Sequence, residues 1–174
     1  MLKVPSPFGE DWKKYEKDWG KIDYQNKVVL DIGADIGSTS DFFFQKGASK
    51  VIAVEGNPNF WRVLIENYLK YKFNGWYGEA VLLMIQSSKD YEDLIEKYSP
   101  DVVKVDCEGC EIYLKDVRSQ ILTKVSEYIV ETHSDEIFQA LLNKFQHEGF
   151  SIEDINEWAP HIRIIYVRKS ECRS

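Results

Sequence analysis

The stretch that most constrains the fold of this chain is the ten-residue run VVLDIGADIG, from Val28 to Gly37. Two valines and a leucine lead directly to Asp31, as in a short buried strand. Gly33 and Gly37 follow, and a serine and a threonine then begin a segment that is typical of a helix N-terminus. Because glycine lets the backbone bend sharply and approach a ligand closely, this strand, turn and helix start are predicted to wrap around a small ligand.

Short apolar runs of strand length alternate with helical patterns along the rest of the chain. Val51 to Glu55 is predicted to be a second buried strand, followed by a helix that begins near Pro58. This alternation predicts an α/β fold with a parallel sheet covered on both faces. The last two strands, Ser151 to Ile155 and Ile162 to Arg168, should form an antiparallel hairpin. We therefore predict a seven-stranded, mostly parallel sheet with a C-terminal antiparallel hairpin.

Two stretches are harder to assign. Either Phe73 to Tyr77 or Val81 to Ile85 could supply the third strand of the main sheet. Leu114 to Val125 has a helical pattern and is predicted to be one helix.

Length and composition predict one domain over residues 1–174. Hydrophobic residues make up 44% of the 174-residue chain and charged residues 29%, as in an ordinary globular protein. No apolar run approaches the roughly 20 residues that a membrane span needs, and the first residues do not resemble a secretory signal. We expect a cytoplasmic protein without a membrane partner.

An aromatic stripe marks the N-terminal helical segment, residues 1–25. Phe8, Trp12, Tyr15 and Trp19 recur at helical spacing. The segment is predicted to pack on the domain, with the alternative that it closes over the site as a lid.

The three cysteines do not form a disulfide framework. Cys107 and Cys110 make a CxxC motif, but the second pair that a structural zinc site would need is absent. We predict buried thiols; the alternative is a disulfide, which intracellular proteins of hyperthermophiles can carry.

Charged and polar residues follow four of the predicted strands. Asp31, Glu55, Asp106 and His133 each stand at or just after a strand end. Because ligands of open parallel sheets bind at the carboxyl ends of the strands, these residues are predicted to mark the site.

The charge of the glycine loop favours one type of ligand. A dinucleotide-binding loop needs a central glycine for close approach to a pyrophosphate, whereas this loop has Asp35. Asp31, Asp35 and Glu55 would repel a pyrophosphate. S-adenosylmethionine has no phosphate, carries a cationic sulfonium and ammonium, and offers a ribose diol that Glu55 can bind. The predicted cofactor is therefore S-adenosylmethionine.

Four motifs in order, VVLDIGADIG, VIAVEGNP, VVKVDCEGCE and VETH, resemble the FkbM-type family of S-adenosylmethionine-dependent methyltransferases. The resemblance spans roughly residues 28 to 168 and implies a Rossmann-like class I methyltransferase fold. Two positions depart from the family pattern: Asp35 replaces the usual asparagine and Gly56 a common proline. The implied cofactor-binding residues are Asp31, Gly33, Ala34, Asp35, Gly37, Glu55, Gly56, Asn57 and Glu79.

Methyl transfer needs an acceptor aligned with the methyl group and, for a hydroxyl acceptor, removal of a proton. We predict that Asp106 or His133 orients or deprotonates the acceptor, assisted by Glu108. Glu111 is predicted to stabilise a helix N-terminus. No metal ligand set is predicted; the alternative is that the clustered carboxylates bind a divalent ion that holds a diol acceptor.

The sequence thus predicts a methyltransferase that acts on oxygen of a small or carbohydrate-like acceptor; its oligomeric state is not predicted. One alternative is an RNA methyltransferase, although a net charge of −7 counts against broad nucleic-acid binding. The other is a partner protein that binds the cofactor without catalysis.

Overall fold

The computed structural model describes the backbone of residues 12–72 and 77–170, and the side chains of residues 15–69 and 77–170. The α-helices of this part are α1 (Trp12–Trp19), α2 (Ser38–Gln45), α3 (Pro58–Lys72), α4 (Ser88–Tyr98), α5 (Ser119–Leu122) and α6 (Asp135–His147). A 3-10 helix covers Cys110–Asp116. The strands are β1 (Val28–Ile32), β2 (Lys50–Glu55), β3 (Gly78–Leu82), β4 (Val102–Val105), β5 (Glu127–Thr132), β6 (Phe150–Ala159) and β7 (Ile162–Lys169).

These strands form a seven-stranded mixed sheet in the order β3-β2-β1-β4-β5-β7-β6, which confirms the predicted sheet and its C-terminal hairpin. The chain comprises two compact units, Met1–Met84 and Ile85–Ser174. The prediction of a single domain over 1–174 stays a prediction.

In the first unit, β1 and β3 each pair in parallel with β2. All residues of β1 and β2 except the first of each strand are buried. This is the burial expected of parallel strands, whose side chains on both faces are covered. Helix α1 packs on α2, with the rings of Tyr15 and Phe42 6.1 Å apart. Phe8 and the rest of residues 1–11 lie outside the described residues, so the lid stays a prediction.

In the second unit, β4 and β5 are parallel, and β7 pairs antiparallel with both β5 and β6. The core of this unit contains three packed rings. Tyr128 lies 5.1 Å from Phe145 and 5.6 Å from Phe150, measured between ring centroids. These rings join β5 to α6 and to the start of β6.

The predicted single helix over 114–125 is wrong. The chain instead forms the 3-10 helix and the short α5, separated by extended residues at Val117 and Arg118. The nearly buried Glu92 carboxylate accepts hydrogen bonds from the Arg118 backbone N–H at 2.9 Å and from its Nε at 2.8 Å. This contact with α4 holds Arg118 out of helical geometry, so tertiary pairing overrides the local helical pattern.

The third strand shares only Val81 and Leu82 with the predicted run from Val81 to Ile85, and residues 73–76 of the other predicted run lie outside the described residues. Strand β3 covers Gly78–Leu82, with Gly78 opposite Val51 of β2. A Cβ atom at Gly78 would lie 2.1 Å from the Val51 carbonyl oxygen. The strand therefore starts at the residue that permits this close backbone approach.

None of the helices in the described part of the chain has the length and apolar character required to cross a membrane.

We expect Phe145→Ala to lower the free energy of unfolding by about 3–5 kcal/mol, because it removes a ring from the Tyr128 and Phe150 packing and leaves a cavity. Phe60→Ala is the matched control: Phe60 is 47% exposed, and its removal should change stability by less than about 0.5 kcal/mol. Urea unfolding measures both variants. Equal stability losses would contradict the assigned core.

Candidate functional site

The glycine loop after β1 has the backbone geometry of a tight turn. Gly33, Asp35 and Gly37 all have positive φ, at 75°, 51° and 99°. The N–H groups of Gly33 and Ala34 both donate to the Val54 carbonyl of β2 at 3.0 Å, and the Gly37 N–H donates to the Ala34 carbonyl at 2.8 Å. The loop is thus fixed to β2 before it enters α2.

Asp31 is fully buried at the end of β1. One oxygen of its carboxylate accepts hydrogen bonds from the hydroxyls of Thr39 at 2.8 Å and Ser40 at 2.6 Å. Asp31 therefore connects the strand to the first turn of α2. The sequence did not predict this anchoring contact, which holds the loop from beneath.

Glu55 connects the loops that follow β1 and β2. One of its carboxylate oxygens accepts from the Asp35 backbone N–H at 2.9 Å, and the other accepts from the Asn57 N–H at 2.6 Å. Because a carboxylate oxygen has two lone pairs, both oxygens keep capacity for a further donor. The carboxylate thus fits the pair of hydroxyls of a ribose.

Gly56 and Met84 lie together beside Glu55. A Cβ atom at Gly56 would lie only 2.8 Å from Met84 Sδ, so a side chain at this position would collide with Met84. Met84 is 56% exposed, which leaves an apolar surface next to Gly56, the residue that follows Glu55. The sequence analysis missed Met84 because nothing in its local pattern links it to Gly56.

Glu79 is not brought together with Glu55. Glu79 pairs with Ile52 of β2, whereas Glu55 pairs with Leu82 of β3. Glu79 therefore lies three residues, or about 10 Å along the strands, from the position of Glu55. Its carboxylate lies near Tyr68 of α3: burial raises the pKa of the Tyr68 hydroxyl, and the negative charge of Glu79 adds to this rise. A role of Glu79 in binding the cofactor stays a prediction.

In the second unit, a cluster of acids surrounds His133, which follows β5. Glu111 is fully buried, and its carboxylate binds His133 Nδ1 at 2.9 Å and accepts from the His133 backbone N–H at 3.3 Å. Its second oxygen accepts from the Gly109 N–H at 2.8 Å. Glu111 therefore fixes the position of the imidazole, a role that the sequence analysis did not assign to it.

The opposite ring nitrogen of His133 faces two further carboxylates. Its Nε2 lies 3.4 Å from Glu108 and 3.5 Å from Glu131. The ammonium of the buried Lys104 lies 3.9 Å from the Asp106 carboxylate. Because side chains alternate along a strand, residues two apart point to the same side, and the 3.9 Å between Lys104 and Asp106 and the 3.5 Å between Glu131 and His133 agree with this.

The environment changes the acid–base properties of the cluster. Hydrogen bonds to Glu111 and Glu131 raise the pKa of His133 to about 10, although burial opposes the rise. His133 is therefore an imidazolium at neutral pH and is poorly suited to accept a proton there. Burial raises the pKa of the Asp106 carboxyl, opposed by the nearby Lys104 ammonium. Burial would also raise the pKa of Glu111, but the His133 and backbone hydrogen bonds lower it below the usual value.

Asp106, Glu108 and His133 each present a ligand atom within 4.8 Å of the others, a set that could hold a metal ion. Two cations of the chain already occupy the neighbourhood: the His133 imidazolium lies between carboxylates, and Lys104 lies beside Asp106. A metal ion would have to displace the proton of His133.

The prediction that Cys107 and Cys110 are free thiols is wrong, because a disulfide joins them. Their Cα atoms are 5.5 Å apart, a normal separation for a disulfide. The two residues between them bend back with positive φ and bring the cysteines together. The two-residue spacing of the motif is the same for a thiol pair and a disulfide, so the sequence left both open.

We expect Glu111→Gln to lower the pKa of His133, because the amide removes the negative charge that stabilises the imidazolium. NMR titration of the His133 ring protons measures this pKa in both proteins. Glu153→Gln, an exposed acid on β6 of the same unit, is the control and should leave it unchanged. A His133 pKa near 6.5 in the unmodified protein would contradict the described hydrogen bonds.

Solved structures with a similar fold include methyltransferases. The precorrin-6y C5,15-methyltransferase from Geobacter metallireducens superposes with a TM-score of 0.70 at 16% identity, over 96% of this chain and 93% of that one. Fibrillarin from Aeropyrum pernix, solved with natively bound S-adenosyl-L-methionine, superposes with a TM-score of 0.61 at 15% identity, over 82% of this chain and 66% of that one. The fold is thus the predicted Rossmann-like fold of class I methyltransferases.

Sequence comparison gives the family. No family model matches the chain. The chain is 30% identical to "Uncharacterized protein 65" of Sulfolobus islandicus filamentous virus (isolate Iceland/Hveragerdi) over 122 residues. This match covers 70% of this chain and 69% of the viral protein. The chain belongs to the same protein family as this viral protein.

Proposed function

We propose that the chain is a methyltransferase of the FkbM type that uses S-adenosylmethionine and methylates a hydroxyl oxygen of a small or carbohydrate-like acceptor. The observation that carries the proposal is the position of the Glu55 carboxylate, which accepts the backbone N–H groups of Asp35 and Asn57 from the two loops. Each of its oxygens can accept one further hydrogen bond, as the two hydroxyls of a ribose would donate. The four ordered motifs and the methyltransferase fold support the finer assignment.

S-adenosylmethionine is the cofactor that this loop fits. Asp35 places a negative charge in the turn where a pyrophosphate would need close backbone approach. The sulfonium and ammonium of S-adenosylmethionine are attracted by such a charge, whereas phosphates are repelled. Gly56 and the exposed Met84 offer an apolar surface beside Glu55 for a flat base. When bound, this cofactor supplies an electrophilic methyl group.

The second-unit cluster supplies the acid–base groups of the proposal. Asp106 accepts the proton of the acceptor hydroxyl, because its raised pKa makes it a stronger base than an ordinary aspartate. The His133 imidazolium donates a hydrogen bond that orients the acceptor, while Glu111 fixes the ring. Glu108, 85% exposed and 3.4 Å from His133 Nε2, contributes a further acceptor at the rim of the cluster. We thus assign the proton-accepting role to Asp106 and the orienting role to His133.

The remaining parts of the proposal concern the whole chain. We propose a single catalytic domain over residues 1–174, with the N-terminal helical segment of residues 1–25 packed on it. The acceptor is a small molecule and the protein is cytoplasmic. The described contact between Tyr15 and Phe42 supports packing of this segment.

Glu55→Gln should weaken binding of S-adenosylmethionine at least tenfold, about 1.4 kcal/mol, because the amide nitrogen cannot accept either a backbone N–H or a ribose hydroxyl. Isothermal titration calorimetry measures the Kd. Glu66→Gln, the same change at an exposed position on α3, is the control and should bind like the unmodified protein. The cofactor assignment fails if the unmodified protein does not bind, or if both variants bind equally.

Asp106→Asn should slow methyl transfer by about 10²–10⁴-fold, the usual loss of a general base, while leaving the Kd of S-adenosylmethionine unchanged. Transfer of labelled methyl to a panel of polyhydroxylated acceptors measures the rate, with bulk RNA as a second arm for the alternative acceptor. Asp116→Asn, at an exposed position of the 3-10 helix, is the control.

The same assay gives a pH profile for the unmodified protein. The rate should rise as Asp106 loses its proton and fall as the pH approaches about 10, where His133 loses its proton. Full activity of the Asp106→Asn protein would show that Asp106 is not the general base. Methyl transfer to RNA alone would replace the proposed acceptor, and transfer to no acceptor would favour a non-catalytic partner protein.

A further inference from the structure

The Cys107–Cys110 disulfide closes a short ring around Glu108 and Gly109. Both enclosed residues have positive φ, 57° at Glu108 and 120° at Gly109. A residue with a side chain rarely adopts such a backbone conformation, because its Cβ crowds the neighbouring carbonyl. The closed ring therefore holds Glu108 in a conformation that an open chain would visit infrequently.

The two residues inside this ring each make one contact with the acid and histidine cluster, which consists of Asp106, Glu108, Glu111, Glu131 and His133. The Glu108 carboxylate lies 3.4 Å from His133 Nε2, and the Gly109 N–H donates to the buried Glu111 carboxylate at 2.8 Å. The contact between Glu111 and His133 Nδ1 involves no residue inside the ring. Opening the ring can therefore release the first two contacts and leave the third in place.

The two cysteines differ in exposure. Cys110 is 9% exposed, and its Sγ lies 3.2 Å from the Tyr91 hydroxyl. Cys107 is only half-buried, so its sulfur is the one that a reductant in solution can attack. Glu111 lies close to this sulfur, with an oxygen 3.7 Å from Cys107 Sγ.

Reduction by a small dithiol balances as an ordinary thiol–disulfide exchange. A thiolate of the reductant attacks Cys107 Sγ, the S–S bond breaks, and the electron pair goes to Cys110 Sγ, which takes up a proton. The second thiol of the reductant then displaces Cys107 from the mixed disulfide, and Cys107 Sγ takes up a proton. The reductant leaves as a cyclic disulfide, having delivered two electrons and two protons.

We propose that the Cys107–Cys110 disulfide is a redox lock on the acid and histidine cluster: the closed ring holds Glu108 against His133, and a dithiol reductant releases it. The lock goes beyond methyl transfer and does not depend on it, because the ring and its contacts involve no substrate.

The test uses the full chain with Cys172→Ser, which removes the third cysteine. NMR hydrogen exchange at the Gly109 amide is measured before and after treatment with dithiothreitol. Reduction should speed this exchange at least about tenfold, because the Gly109 hydrogen bond is lost. The Val130 amide of β5 should exchange at the same rate in both states, which shows that the fold is kept.

A variant with both Cys107→Ser and Cys110→Ser is the matched control. It should exchange at Gly109 at the reduced rate and should not respond to dithiothreitol. Equal Gly109 exchange in the oxidised and reduced protein would overturn the proposal, as would alkylation of both cysteines without reductant. Because exchange needs no acceptor or cofactor, a failure of the proposed function leaves this result readable.

Discussion

The contact between the Glu111 carboxylate and the His133 ring is the interaction on which the second unit's cluster depends. A fully buried carboxylate is costly unless it is paired and hydrogen-bonded. Glu111 meets this requirement with the ring of His133, the His133 backbone N–H and the Gly109 N–H. One buried side chain therefore fixes both the loop after β4 and the residue after β5. It also keeps His133 positively charged, so the Glu108 and Glu131 carboxylates face a cation at the opposite ring nitrogen.

The first unit uses a carboxylate in a comparable way. Glu55 at the end of β2 accepts one backbone N–H from each of two loops, at Asp35 and Asn57. In both units a carboxylate thus fixes the positions of backbone amides from different segments of the chain. A loop whose geometry is already fixed in this way loses less conformational entropy when it binds a ligand. Asp31 adds support beneath the first loop through the hydroxyls of α2.

Sequence reasoning was most successful where local pattern and geometry coincide. The run into Asp31, the second strand into Glu55 and the final hairpin are all recognisable because burial and strand period leave direct traces in the sequence. It failed where a distant residue decides the local structure. Glu92 breaks the helix predicted over 114–125 through Arg118, 26 positions away. The role of Glu111 required knowledge that His133, 22 positions away, lies against it. The start of β3 depends on Gly78, because the Val51 carbonyl lies too close to this position for any side chain.

The backbone at Asp35 has a consequence for how this loop can vary. Its φ of 51° lies in the left-handed region, which among residues with side chains is best tolerated by asparagine and aspartate. Asparagine and aspartate fit this backbone about equally well, so the choice between them keeps the turn and alters only the charge. The aspartate found here adds a negative charge to the loop at almost no conformational cost. A loop of this shape can thus have its ligand preference adjusted electrostatically while its path stays constant.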